Sequence, residues 1–207
     1  MKVIIGLTGK YCAGKNHIAK IFEKRGLPVL DVDKLGHKAI ETQKTAILER
    51  FGDDILNPDR SIDRKLLGKK VFGKPAELAA LENIIHPAVN ILTDEWIKAQ
   101  PGNCVVNAAL LHRSSVFSVL NACVIVHAPF FTRLYRAKRR DKLPWFNIIK
   151  RLRSQKDFTS QYLSQKADIY RVENPGFLWF AKKPENRIDE ILSTLGILRC
   201  ETWNRKN

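Results

Sequence analysis

Apolar residues fall along this chain in short runs separated by amphipathic stretches. Val3-Ile4-Ile5-Gly6-Leu7-Thr8 is a continuous apolar run of strand length, the pattern of a strand covered on both faces. Ile18, Ile21 and Phe22 then recur at helical spacing, which predicts a helix over 15–24. Gly26 stops it, with Pro28 close behind. Val29-Leu30-Asp31-Val32-Asp33 reads as a second short strand ending in carboxylates. Cys104-Val105-Val106-Asn107 and Ala122–His127 read as two more buried strands, and 168–172 as a last short one. Three or four helices are predicted over 34–99. Ser61-Ile62-Asp63 looks like a helix start ahead of Leu66, Leu67 and Val71. Pro87 is expected to kink or divide the helical stretch 76–99. Further helices are expected at 131–139, 145–154, 160–167 and 184–195. Strands alternating with helices predict an α/β domain with a mainly parallel sheet. Ligands of such sheets bind at the carboxyl ends of the strands, which directs attention to the residues after Thr8 and after Leu30.

The first of these places holds Gly9-Lys10-Tyr11-Cys12-Ala13-Gly14-Lys15-Asn16, which fits G-x-x-x-x-G-K-[ST] at every position but the last. The match follows an apolar strand and opens a helix, the context the motif requires. Its glycines let consecutive backbone N–H groups turn inward as an anion nest, and the helix start adds the positive end of its dipole. Lys15 carries a compact positive charge to the outer phosphates of a nucleotide. A glycine-rich turn that merely joins strand to helix is the plainer alternative. Asn16 stands where a Ser or Thr hydroxyl usually helps hold Mg²⁺. Its amide oxygen is an acceptable hard ligand, so metal use is expected to be weakened rather than lost.

After Leu30 come Asp31 and Asp33. On a strand, period two would put both carboxylates on one face. Phosphoryl transfer to a hydroxyl needs a carboxylate to orient the acceptor and take its proton. Polar strand-end residues that cap the next helix would look the same. Basic residues crowd one later stretch: Arg133, Arg136, Lys138, Arg139, Arg140, Lys142, Lys150, Arg151, Arg153 and Lys156 face Asp141 alone. Leu143-Pro144-Trp145 separates two helical halves, so the stretch reads as a helical hairpin that folds over phosphates. A solvated basic face is the plainer reading, and a nucleic-acid patch is the rival. Trp145, Phe146 and Phe158 nearby are explained more simply by packing than by base stacking. His37 and His86 are possible ligand contacts, although ordinary structural histidines are commoner. His112 and His127 carry no signal.

Composition narrows the class. The chain has 207 residues, against about 150 for a typical domain, so one main domain with an inserted subdomain is expected. Hydrophobic residues are 44% and charged residues 28%, as in ordinary folded proteins rather than disordered ones. There is no repeat, no low-complexity segment, no apolar run of membrane-spanning length and no signal-peptide pattern. Cys12, Cys104, Cys123 and Cys200 are scattered without CxxC spacing, which argues against a zinc or redox motif and for free thiols in a reducing cytoplasm. Thirty-six Lys and Arg against 21 Asp and Glu give a net charge of +15, a surface that attracts polyanions.

In order and spacing the chain resembles the dephospho-CoA kinases. The resemblance rests on Ile5-Gly6-Leu7-Thr8-Gly9 with the phosphate loop, and on Leu30-Asp31-Val32-Asp33-Lys34-Leu35-Gly36-His37. It extends through Phe51-Gly52-Asp53, Asp63-Arg64-Lys65-Leu66-Leu67, Val71-Phe72 and Leu81-Glu82-Asn83-Ile84-Ile85-His86-Pro87. Arg136, Arg140-Asp141, Arg151-Leu152-Arg153-Ser154-Gln155, Ala167-Asp168 and Asn174-Pro175-Gly176 continue it, so that it covers about residues 2–195. It implies a P-loop kinase fold of the nucleoside-monophosphate-kinase type. A five-stranded parallel core would take in about 1–35, 101–130 and 167–200, with a CoA-side helical region over 36–100 and a lid over 131–160.

The resemblance also implies transfer of the ATP γ-phosphate to the 3′-hydroxyl of dephospho-CoA, the last step of CoA synthesis, with Mg²⁺. By it, Gly9, Lys10, Tyr11, Cys12, Ala13, Gly14, Lys15, Asn16 and His17 hold ATP. Asp33 becomes the base with Asp31 beside it, Arg140 a catalytic lid contact to phosphate, and Arg64 and His86 acceptor-side contacts. The chain departs from the family pattern at several places. Asn16-His17 replaces Ser-Thr, Lys10-Tyr11-Cys12 replaces small residues, Ala109 a proline and Arg113 an acidic residue. The implied protein is a cytoplasmic enzyme of small-molecule substrates, without nucleic-acid or membrane partner, monomeric or a small homo-oligomer. The alternatives are a divergent nucleotide-binding relative with weak or no kinase activity, a P-loop kinase for another nucleoside or nucleotide, and a nucleic-acid-binding protein drawing on the +15 charge.

Overall fold

The computed structural model describes residues 2–155, 158, 162, 167–176 and 183–198. Its sheet is built on β1 (Ile4–Gly9), whose Ile5, Leu7 and Thr8 are fully buried, as the unbroken apolar run requires. Five strands lie in the order β2-β3-β1-β4-β5, with β2 at Val29–Asp31, β3 at Cys104–Asn107, β4 at Ala122–His127 and β5 at Asp168–Glu173. β1 pairs in parallel with both β3 and β4, and β4 with β5. Leu7 stands opposite Asn107 on one side and Val124 on the other.

Helix α1 (Lys15–Lys24) follows β1 and buries Ile18, Ile21 and Phe22. Its end is set by Gly26 at φ +80°: the Gly26 N–H donates to Glu23 O at 2.9 Å and the Leu27 N–H to Phe22 O at 3.1 Å. These two bonds satisfy the last carbonyls, and only a residue free of the left-handed penalty closes them cheaply. α1 shares one core with the last helix, here α8 (Pro184–Thr194), through Ile188, Ile191 and Leu192. Each such aliphatic contributes about 1.5–3 kcal/mol by leaving water. Arg25 reinforces the contact with a two-pronged ion pair to Asp189 at 2.6 and 2.8 Å.

The chain divides into two compact units, residues 1–30 with 100–207, and residues 31–99. The first also carries the hairpin α6 (Phe130–Asp141) and α7 (Trp145–Arg153), closed by Ala137, Ile148 and Leu152. The second is helical: α2 (Val32–Thr42), α3 (Lys44–Phe51), α4 (Arg64–Val71) and α5 (Pro75–Ala99). They enclose Ile47, Phe51, Ile55, Ile62, Leu67, Val71 and Leu81. Asp63 caps α4 as expected, its Oδ1 accepting from the Lys65 and Leu66 N–H groups at 2.7 and 3.2 Å.

Two expectations are corrected. α5 is not divided: it runs unbroken through Pro87. The proline removes one N–H donor, yet α5 has buried side chains on both sides of it, Leu81 before and Thr93 and Ile97 after, and contacts α2, α3 and α4. The second strand also stops at Asp31, and Asp33 already lies in the first turn of α2. Asp31 is the N-cap of that helix, accepting the Asp33 N–H at 3.2 Å, so period two does not relate the two carboxylates. A strand-end Asp that satisfies an orphan helix N–H ends the strand there. The helix expected at 160–167 lies, apart from Tyr162 and Ala167, outside the described residues. So does Cys200, while Cys12, Cys104 and Cys123 are free thiols.

Candidate functional site

The phosphate loop leaves β1 at Gly9 and enters α1 at Lys15. A turn inside it is closed by the Ala13 N–H donating to Lys10 O at 2.9 Å. Cys12 (φ 59°) and Gly14 (φ 96°) take left-handed backbone, which points successive N–H groups to one side. No side chain caps α1, so its N-terminus is disposed toward an anion. The Lys15 ammonium is shut away from solvent, whereas Asn16 and His17 are exposed. The sequence reading did not anticipate how the loop is held. Asn174, just after β5, donates from Nδ2 to Ala13 O at 2.8 Å, and Arg136 Nη1 donates to the same oxygen at 3.0 Å. Both residues stand among the positions that carry the family resemblance, Asn174 just after a strand and Arg136 among the basic residues, but nothing there said that they meet at Ala13.

The helical hairpin grips the loop from the other side. Tyr11 donates its N–H to Gln155 Oε1 at 2.7 Å and its hydroxyl to Asp141, and the Arg140 guanidinium sits 5.1 Å from the centre of its ring. Arg140 also pairs with Asp141 at 2.6 Å. That contact, above all others, holds the Asp141 carboxyl below the usual carboxylate range. Burial pushes the Tyr11 hydroxyl up and, against the pull of Arg140, the Cys12 thiol up as well. Arg133 departs from the reading of a solvated basic face. It is 8% exposed, and its Nε and Nη1 are buried with no hydrogen-bond partner among the described residues. Burial lowers the pKa of its guanidinium, and a buried cation in this state is suited to an incoming anion. Its signal was the four-residue step to Ala137, which places both on the buried stripe of α6. A cavity of about 620 Å³ opens beside these helices, lined by Arg136, Arg139, Arg140 and Gly176. The Lys138 ammonium lies 5.0 Å from the centre of the Trp145 ring, which is half exposed, and Phe158 packs on Tyr162 (5.1 Å) in the interior.

The remaining predicted residues belong to the helical unit. Asp31 caps α2, and Asp33 is exposed in its first turn. Arg64 opens α4 and lines a groove of about 630 Å³ with His37, Lys38 and Ser61. His86, half-buried on α5, does not line it.

Among the described residues no group of three His, Cys, Asp or Glu side chains gathers to hold an ion. Instead Asn107, at the end of β3, donates from Nδ2 to Asn16 Oδ1 at 3.1 Å, and its own Oδ1 is buried without a hydrogen-bond partner among the described residues. Two amide oxygens fit a hard cation in kind while bringing no charge.

The family model for dephospho-CoA kinase matches residues 3–175. A dephospho-CoA kinase of Halalkalibacterium halodurans is 31% identical over 188 residues, 87% of this chain and 92% of the relative. A crystal structure from Thermus thermophilus superposes with a TM-score of 0.74 at 28% identity, covering 96% of this chain and 98% of that one. The dephospho-CoA kinase of Campylobacter jejuni superposes with a TM-score of 0.60 at 24% identity, covering 94% and 96%, a likeness of fold.

Proposed function

The chain belongs to the dephospho-CoA kinase family, and from that premise we propose that it transfers the γ-phosphoryl group of ATP to the 3′-hydroxyl of dephospho-CoA. The bond from the γ-phosphorus to the β–γ bridging oxygen breaks, and a bond to the 3′-oxygen forms. The hydroxyl proton passes to a carboxylate, and the products are ADP and CoA. The observation that carries the reading is the loop from Gly9 to Lys15, held open by Asn174 and Arg136 at the start of an uncapped helix.

Loop amides bind the phosphates, and Lys15 sets its charge against the outer ones. Arg133, Arg136 and Arg140 supply positive charge from the hairpin and exclude water. Arg140 must exchange Asp141 for phosphate as it does so. Asp33 receives the acceptor proton, and Asp31 holds the helix turn that carries it. Arg64, in the groove of the helical unit, binds acceptor phosphate, with His86 further along on α5. A magnesium ion, when bound, would neutralise phosphate charge, and Asn16 Oδ1 and Asn107 Oδ1 are the oxygens this chain offers it. The enzyme is placed in the cytoplasm, acts on small molecules as a monomer or small homo-oligomer, and needs neither nucleic acid nor membrane. No helix among the described residues is long and apolar enough to cross one.

The test is ADP release by the purified chain with ATP, dephospho-CoA and a Mg²⁺ titration, with acceptor omitted as control. Acceptor-dependent ADP together with CoA supports the reaction. ADP without acceptor reduces it to ATP hydrolysis, and bound ATP with no ADP across the titration overturns it.

A further inference from the structure

Asn16 and Asn107 reach each other from different elements, the first turn of α1 and the last residue of β3, and Asn107 stands opposite Leu7 in the strand that feeds the loop. Phosphate-loop enzymes commonly hold their magnesium with a hydroxyl from the loop and a carboxylate from a strand. Here the loop side chain and the strand-end side chain are both amides. Asn107 is 3% exposed, and its buried Oδ1 has no hydrogen-bond partner among the described residues, so nothing described there lends the pair a charge.

The exchange of charge for an amide acts in two directions. An oxygen site attracts a divalent cation in proportion to the formal charge of its ligands, and this pair contributes none. A carboxylate in the place of Asn107 would also repel nucleotide phosphates, and a cation would be needed to offset that repulsion. The amide removes both effects. Resting on the ATP-binding reading above, we propose that the Asn16–Asn107 pair keeps the protein side of this site neutral, so that ATP binds without a divalent cation. Asn107 thus determines how strongly nucleotide and metal binding are coupled, a role separate from transfer itself.

Calorimetric titration of the full chain with ATP, in EDTA and in saturating Mg²⁺, tests this without turnover. The wild-type Kd is expected to agree between the two buffers within about threefold, below the usual range of coupling between sites. Asn107→Asp should weaken binding in EDTA by about tenfold or more and recover it in Mg²⁺, because coupling is reciprocal. A wild-type Kd already tenfold weaker in EDTA overturns the proposal. So does an Asn107→Asp protein that folds and shows wild-type coupling. If Asn107→Asp does not fold, as judged by circular dichroism, the wild-type titrations in the two buffers decide alone. Absence of ATP binding in both buffers overturns the kinase reading and this inference with it.

Discussion

Asn174 fills the space that the missing side chain of Gly14 leaves: a Cβ on Gly14 would fall 2.1 Å from the Asn174 Nδ2 that holds the Ala13 carbonyl. The glycine is therefore required twice, by its φ of 96° and by its neighbour. Gly14→Ala is expected to cost about 1–3 kcal/mol of backbone strain and to push Asn174 off the loop. Thermal unfolding and ATP titration of the variant check this. Lower stability should come with an ATP affinity reduced more than the melting shift explains.

Lys15 and Asp33 are assigned different steps, so their variants should fail differently. Lys15→Ala should lower turnover by about 10²–10³-fold and weaken ATP binding as well. Asp33→Asn should lower kcat by about 10²–10⁴-fold while leaving the ATP Kd near wild type, since a proton acceptor acts only in the transition state. Steady-state kinetics beside equilibrium ATP binding separates the two. Undiminished turnover in Lys15→Ala would remove the assignment.

The contact between loop and hairpin carries its own pH dependence. Arg140 holds the Asp141 carboxyl below its ordinary value. A depressed carboxyl contributes stability that is present above its unfolded pKa, about 4, and is lost as pH falls through the lower folded value. Tyr11 works at the other end: burial raises its hydroxyl, so its contribution is present below about pH 10 and is lost as pH rises through the higher folded value. Lowering the pH from 7 to 3 should therefore reduce the melting temperature more in wild type than in Asp141→Asn.

Leu67, 2% exposed in the core of the helical unit, tests whether that unit supports the acceptor side. Leu67→Ala should cost about 2–5 kcal/mol through the lost burial and the cavity. It should raise the dephospho-CoA KM more than the ATP Kd. Denaturant unfolding and two-substrate kinetics read the two effects separately.

Much of the architecture was legible because it rests on local patterns. The apolar run before Gly9, the Ile18–Phe22 stripe, the Gly26 stop and the Asp63 cap each act within a few residues, and each appears in the structure where the pattern put it. The loop motif was legible for the same reason, since its glycines and lysine are contiguous. Local signals failed where two local rules competed. Asp31 read as a strand residue by alternation, yet its carboxylate ends the strand by capping the helix. Pro87 read as a kink or a break, and α5 runs through it undivided.

What the sequence determined by itself was the order of strands and helices, the glycine-bearing loop between β1 and α1, the family and the excess of positive charge. Only the tertiary structure decided which partners those residues meet. Asn174 reaches Ala13 across 161 positions, Tyr11 meets Asp141 across 130, and Asn16 meets Asn107 across 91. Contacts of that span follow from which strands lie side by side, a property of the whole sheet that no window of sequence contains. Arg133 shows the same limit: its four-residue step to Ala137 puts the two on one stripe of α6, but that this stripe is the buried one is a property of the fold.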